Sequence, residues 1–113
     1  MNETEIQNRI RCALSEYGFV CRMNSGVFQT KDGRNVRTGI PGIPDLLFLG
    51  PNGQTVWIEV KTEKGRLSPE QQNFIETLQG MGHTAGVARS VEDALQIIGR
   101  SGEKRNGRSD RLG

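Results

Sequence analysis

Long apolar runs, aromatic residues and histidine are all scarce in this 113-residue sequence. No stretch approaches the roughly 20 apolar residues that a membrane-spanning helix requires. The first ten residues are polar, whereas a secretory signal would carry an apolar segment there. We therefore expect no membrane segment and predict a soluble, cytoplasmic protein.

Cysteine and histidine are too few and too scattered for a zinc site. The two cysteines, Cys12 and Cys21, lie nine positions apart without a CxxC pattern, and His83 is the single histidine. We predict that both thiols stay reduced, with a disulfide between them as the minor alternative. His83 follows a glycine between a predicted helix and strand, where a turn position is favoured over a catalytic base.

Basic charge is concentrated at the C-terminal end of the chain. Residues 99–113 contain five Lys or Arg and two acidic residues, so residues 1–98 keep ten basic and eleven acidic residues of the totals 15 and 13. The tail has too few apolar residues to offset the entropy of ordering it. We predict one compact domain in residues 1–98 and a disordered basic tail in residues 99–113.

Apolar periodicity and turn residues predict an α/β fold. A helix of about 14 residues is capped by Asn2 or Thr4 and ends at Gly18, and two later helices are capped by Ser68 and Ser90. Predicted strands cover residues 19–23, 27–30, 45–49, 54–61 and 84–88. The order is αβββ-αβα, a mixed sheet flanked by helices, with a hairpin around residues 31–34 that projects from the core.

Two carboxylates and a lysine are predicted to converge at one end of the central hairpin. Side chains alternate along a strand, so Glu59 and Lys61 face the same side, with Trp57 either lining the same cleft or packing under a helix. Asp45 opens the preceding strand, and the turn at residues 51–53 folds that strand back antiparallel. Asp45 is therefore expected beside Glu59 and Lys61, where like charges raise one another's pKa.

A hard divalent cation would relieve the repulsion between these carboxylates. Mg²⁺ and Mn²⁺ prefer oxygen ligands, lower the pKa of bound water and stabilise charge on a phosphoryl oxygen. A nearby lysine can hold the attacking water or neutralise the developing charge. These parts predict phosphodiester hydrolysis, whereas the alternative is that Glu59 and Lys61 form an ordinary surface ion pair and Asp45 starts a turn.

The wider sequence around these residues resembles a nuclease family. G-I-P-D at residues 42–45 and I-E-V-K at residues 58–61 resemble the PD-(D/E)XK nuclease motif. Continuing through T-E-K-G-R-L-S-P-E-Q-Q at residues 62–72, the chain is similar to the virus-type replication-repair nuclease (VRR-NUC) domain from residue 3 to about residue 98. The resemblance implies a restriction-endonuclease-like core, metal-dependent DNA cleavage by Asp45, Glu59 and Lys61, and a phage or bacterial source.

The same resemblance adds further candidates to the site. Glu3, which a helical wheel places nearer the apolar arc than Glu5, is implied as a catalytic residue and metal ligand. The alternative is that Glu3 only favours the helix dipole. The Val60 carbonyl is implied as a further ligand. Gln71 either caps its helix or reaches the active site, and Asn24 either contacts phosphate or closes a turn.

Basic and polar residues around the site are predicted to contact DNA. The helix that starts at Ser68 offers free N–H groups to phosphate. The predicted set consists of Arg22, Asn24, Arg34, Arg37, Lys64, Arg66 and Ser68. Solvated surface positions are the alternative for the charged members.

The leading prediction is a Mg²⁺- or Mn²⁺-dependent DNA endonuclease. The resemblance implies branched substrates such as Holliday junctions and a homodimer, whose two equivalent sites suit a two-fold symmetric junction. One alternative is a DNA-binding module of the same fold with little or no catalysis. Another is an adaptor that neither cuts nor binds DNA. The intact Asp45, Glu59 and Lys61 favour the nuclease.

Overall fold

The computed structural model describes residues 1–23 and 26–99. Its elements in chain order are α1 (Glu3–Leu14), β1 (Phe19–Arg22), β2 (Gly26–Gln29), β3 (Asn35–Thr38), β4 (Leu46–Leu49), β5 (Thr55–Val60), α2 (Pro69–Gly80), β6 (Thr84–Ala88) and α3 (Val91–Ile97). Asn24 and all of the predicted tail except Gly99 lie outside the described residues.

Four of the strands form the main sheet, in the order β1-β4-β5-β6. The pairs β1–β4 and β4–β5 are antiparallel, whereas β5 and β6 are parallel, so the sheet is mixed. This confirms the predicted α/β class, and the elements of the main sheet with its helices follow the predicted order αβββ-αβα. β2 and β3 pair with each other in a separate two-stranded sheet, and β3 was not among the predicted strands.

The side-chain alternation of β5 divides the core into two layers. Val56, Ile58 and Val60 are fully buried against residues of α1 and α3. On the opposite face, Trp57 packs against a cluster that includes Ile75 and Leu78 of α2. Trp57 therefore packs under a helix, and Glu59 and Lys61 follow it on the same side of the strand.

The capping of α1 is as predicted, but its end is not. The Asn2 side chain accepts a hydrogen bond from the Glu5 backbone, and the Glu5 carboxylate accepts one from the Asn2 backbone, which forms a capping box. The helix ends at Leu14 instead of continuing to Gly18. Gly18 has another role: a Cβ there would lie 2.3 Å from the Leu49 carbonyl oxygen, so glycine permits β4 to pack closely.

The two cysteines and the histidine have the surroundings that the sequence predicted. Cys12 and Cys21 are free and exposed, so no disulfide joins them. His83 is exposed in the turn between α2 and β6. Within the described residues, no helix has the length and apolar character needed to cross a membrane.

Candidate active site

The β4–β5 hairpin brings Asp45 to the end of β5. The turn between the strands is a short 3₁₀ segment, Pro51–Gly53, in which Asn52 adopts a φ of 61°. The resulting register pairs Leu46 with Ile58, so Asp45 lies next to the last residues of β5. One carboxylate oxygen of Asp45, Oδ2, accepts a hydrogen bond from the Val60 backbone N–H at 2.8 Å.

Glu59 is the one buried charged residue among those that the structure describes, with 2% of its surface exposed. Its Oε2 atom accepts a hydrogen bond from Gln71 Nε2 at 3.0 Å. Its Oε1 atom is also buried, and while the carboxylate is ionised this atom has no hydrogen-bond donor within the described part of the chain. A buried carboxylate oxygen without a partner is costly, so this atom is expected to serve a ligand.

The surroundings of Glu59 disfavour its charged form. Its pKa is raised from 4.5 to about 8, chiefly by burial and next by the neighbouring Asp45 carboxylate, which acts through repulsion and through hydrogen bonding to the protonated acid. Glu3 adds a smaller repulsion, whereas the Lys61 ammonium lowers the pKa. Bringing both carboxylates into the ionised state therefore requires additional positive charge at the site.

Lys61 supplies the nearest cationic group to Glu59. Its Nζ atom lies 3.8 Å from Glu59 Oε2, and its side chain is 13% exposed. The predicted convergence of Asp45, Glu59 and Lys61 is therefore present in the structure. The ion pair is largely buried, which sets it apart from an ordinary surface pair.

Gln71 performs both of the tasks that its sequence position suggested. Its Oε1 atom accepts a hydrogen bond from the Ser68 backbone, and the Ser68 hydroxyl accepts one from the Gln71 backbone, which closes the capping box of α2. Its Nε2 atom donates to Glu59 at the same time. The start of α2 is therefore joined to the buried carboxylate through one side chain.

The sequence reasoning missed Arg89, which holds the loop after Lys61. Its Nη1 atom donates to the backbone carbonyls of Thr62, Glu63 and Gly65 at 2.7, 3.3 and 2.6 Å. Arg89 follows β6 directly, and the parallel register pairs Val60 with Ala88, so Lys61 and Arg89 leave neighbouring strands side by side. The available signal was this adjacency at the carboxyl ends of two parallel strands.

Two further predicted metal ligands lie at the same end of the sheet. The N–H and C=O groups of one strand residue point to the same edge, so the Val60 carbonyl faces Asp45, to which its N–H is bonded. Glu3 opens α1, is exposed, and is close enough to Glu59 to influence its pKa. Across residues 1–23 and 26–99, no group of three or more His, Cys, Asp or Glu side chains could hold a metal ion. The central side chains that could hold a metal ion are therefore the carboxylates of Asp45 and Glu59.

The matched sequence motif agrees with a comparison against known families. Residues 1–92 match the VRR-NUC domain. The chain belongs to this nuclease domain family. One solved VRR-NUC domain is 24% identical in sequence and superposes with a TM-score of 0.62. The match covers 85% of this chain and 92% of the solved chain. A second solved structure, a VRR-NUC domain protein, is 19% identical and gives a TM-score of 0.58. That match covers 89% of this chain and 88% of the solved chain. No curated protein matches the chain.

The predicted DNA-contacting residues of this VRR-NUC domain lie in three places. Lys64 and Arg66 are exposed in the loop that Arg89 holds, just before the Ser68 cap. Arg34 and Arg37 are exposed on the β2–β3 hairpin, where Arg34 pairs with Asp32 at 3.2 Å. The last member of the set with a described position, Arg22, is exposed at the end of β1.

Proposed function

We propose that this protein is a divalent-metal-dependent DNA endonuclease that hydrolyses phosphodiester bonds in branched DNA. The observation that carries the proposal is the buried Glu59, whose Oε1 atom has no described partner while Asp45 and Lys61 lie beside it. Such a group of charges is expensive to maintain unless a ligand uses it. Membership of a nuclease domain family indicates that the site acts on a phosphate group of DNA.

The donor set fits Mg²⁺ or Mn²⁺. Asp45 and Glu59 supply carboxylate oxygens and Val60 a carbonyl oxygen, with Glu3 as an outlying fourth candidate. Mg²⁺ commonly binds through one or two carboxylates, water and substrate phosphate, so a third carboxylate is not required. When bound, the cation supplies positive charge that stabilises the phosphate oxygens and lowers the pKa of water.

The chain's own side chains complete the chemistry. The Lys61 ammonium is positioned to hold the attacking water or to neutralise charge that develops on the phosphate. Gln71 fixes the orientation of the Glu59 carboxylate, and Arg89 fixes the loop that connects Lys61 to α2. Lys64 and Arg66 of that loop, with the first turn of α2, offer cationic and N–H groups to the flanking phosphates.

We further propose that two copies act together on a junction in the cytoplasm. One half of the α2-facing side of the sheet exposes apolar residues: Phe19 of β1 is 76% exposed, and its cross-strand neighbour Leu49 is exposed as well. α2 packs against β6 at the opposite edge. A two-fold pairing through the exposed half would cover these residues and supply two equivalent sites.

The test is a cleavage panel with a matched charge variant. Duplex, flap, splayed and four-way DNA are incubated with the protein in Mg²⁺, in Mn²⁺ and in EDTA. We expect metal-dependent cutting of branched DNA, and loss of it in Asp45→Asn, because that change removes a ligand charge but keeps an acceptor for the Val60 N–H. Glu76→Gln, on the exposed side of α2, should cut normally. Cleavage in EDTA, or full activity of Asp45→Asn, would contradict the proposal.

A further inference from the structure

The β2–β3 hairpin, which we call the ribbon, has little support from the rest of the protein. Within the described residues, its strands Gly26–Gln29 and Asn35–Thr38 pair only with each other. A two-stranded hairpin is marginally stable by itself in water. The ribbon nevertheless exposes two adjacent apolar side chains, Val27 at 55% and Phe28 at 53%. The exposed ring of Phe28 is therefore available to a ligand.

The base of the ribbon is attached to the active site. The chain leaves β1 at Met23, whose N–H donates to the carbonyl of Asp45 at 2.8 Å. It returns through residues 39–44, which lead directly into Asp45. Gly42 packs there against the start of α2, because a Cβ on it would lie 2.5 Å from the Glu70 carbonyl oxygen. Both ends of the ribbon are therefore held beside the catalytic carboxylate.

The two faces of the ribbon differ in chemistry. The register pairs Phe28 with Val36 on one face, and Val27 with Arg37 on the other. The turn at the tip contributes Lys31 and the Asp32–Arg34 ion pair, so residues 26–38 carry a net charge of +2. Among the described residues, neither Lys31 nor Arg37 has an ion-pair partner. One face of the ribbon is therefore apolar and carries the Phe28 ring. The unpaired cations lie at the tip, in Lys31, and on the other face, in Arg37.

We propose that the ribbon recognises the branch point of the DNA. Phe28 stacks on a base that is unpaired or unstacked at the junction, while Lys31 and Arg37 bind phosphates on either side. The inference rests on the proposed function and extends it to the residues that select branched DNA. In intact duplex the flat faces of the bases are covered by their neighbours, so Phe28 finds a stacking surface only where the stack is interrupted.

DNA fits the ribbon better than another protein surface does. A two-stranded ribbon has the width that a DNA groove admits. Its excess of positive charge complements phosphate, and its base is attached beside Asp45, so DNA that lies along the ribbon extends toward the proposed site. Stacking of a base on an aromatic side chain contributes about 1–3 kcal/mol and does not depend on sequence.

The experiment measures DNA binding in EDTA, so it does not depend on cleavage. Fluorescence anisotropy with a four-way junction and with a fully paired duplex compares the wild type with three variants. Phe28→Ala should weaken junction binding roughly 5- to 150-fold, the range expected for one stacked base, and leave duplex binding unchanged. Phe28→Tyr keeps the ring and should bind like the wild type. Val27→Ala removes an equally exposed apolar group from the opposite face and should also bind normally.

A second measurement reports on the stacked base itself. A 2-aminopurine placed at the branch point should be quenched by the wild type and by Phe28→Tyr, but not by Phe28→Ala. Equal losses on junction and duplex, or normal junction binding by Phe28→Ala, would overturn the inference. So would a change from dimer to monomer in Phe28→Ala, which would make the ribbon a contact between copies. A wild type that binds the junction but never cuts it would instead contradict the proposed nuclease function.

Discussion

Gln71 Nε2 lies 3.0 Å from Glu59 Oε2, and this hydrogen bond joins the first turn of α2 to the C-terminal end of β5. The same amide accepts a hydrogen bond from the Ser68 backbone through its oxygen, so its orientation is set from both ends. A helix cap therefore positions a buried carboxylate. A change that removes only the donor of this amide and keeps its acceptor oxygen should affect the chemistry of Glu59 separately from the stability of the helix.

Gln71→Glu tests this separation. Glutamate keeps the acceptor for Ser68 and is equally suited to a capping box, so the unfolding temperature should barely change. It removes the donor to Glu59 and adds a like charge, so cleavage should fall by roughly 10- to 100-fold, as for other groups that orient a ligand. The rate profile should also shift to higher pH. Gln72→Glu adds the same charge on the exposed side of α2 and is the control; equal losses in both variants would contradict a positioning role.

Lys61→Ala should leave the fold intact and reduce cleavage by about 10² or more, because a positioned charge or proton-transfer group is lost. Lys61→Met retains most of the side-chain volume and removes only the ammonium, so it should lose as much activity. Single-turnover rates on a four-way junction and circular dichroism provide the measurements. Near wild-type turnover in Lys61→Met would show that the ammonium has no part in the reaction.

The raised pKa of Glu59 predicts how stability depends on pH. Because burial and the neighbouring Asp45 carboxylate raise this pKa from 4.5 to about 8, the folded protein holds the proton more tightly than the unfolded chain does. The contribution of Glu59 is therefore fully present below about pH 4.5 and is lost as the pH rises to about 8. Thermal unfolding in EDTA should show this decline, and Glu59→Gln, which cannot ionise, should lack it.

The same protonation predicts proton release on metal binding. Near neutral pH, a divalent cation that binds the Glu59 carboxylate must displace its proton. Titration calorimetry of Mn²⁺ in two buffers of different ionisation enthalpy should give a release approaching one proton per site. Heats that do not depend on the buffer would indicate that the metal binds elsewhere.

The exposed half of the sheet predicts the geometry of a dimer. Cys21 lies two residues from Phe19 on the same face of β1, and both are exposed. If two copies pair there, light scattering should report about twice the 12.5 kDa chain mass. A short bis-maleimide should link the copies through Cys21. Cys12→Ser should still cross-link and Cys21→Ser should not. A monomer at micromolar concentration, also with junction DNA bound, would favour a flap- or end-directed nuclease.

Local patterns in the sequence were enough to predict the central part of the site. Alternation along β5 assigns Glu59 and Lys61 to one face, and the turn at Pro51–Gly53 returns the chain so that Asp45 lies beside them. The caps at Asn2 and Ser68 are also local, because each involves residues only three positions apart. Such features depend on strand geometry, turn chemistry and short-range hydrogen bonds, all of which can be read from neighbouring residues.

Tertiary structure alone decided the rest, because these features depend on residues that are distant along the chain. The 2% exposure of Glu59 depends on tertiary packing, and that burial is the largest cause of its raised pKa. Arg89 reaches carbonyls 24 to 27 positions away only because β6 lies parallel to β5. The sequence determined which groups could react, whereas the fold determined how far these groups are shielded from solvent and which hydrogen bonds fix their orientation.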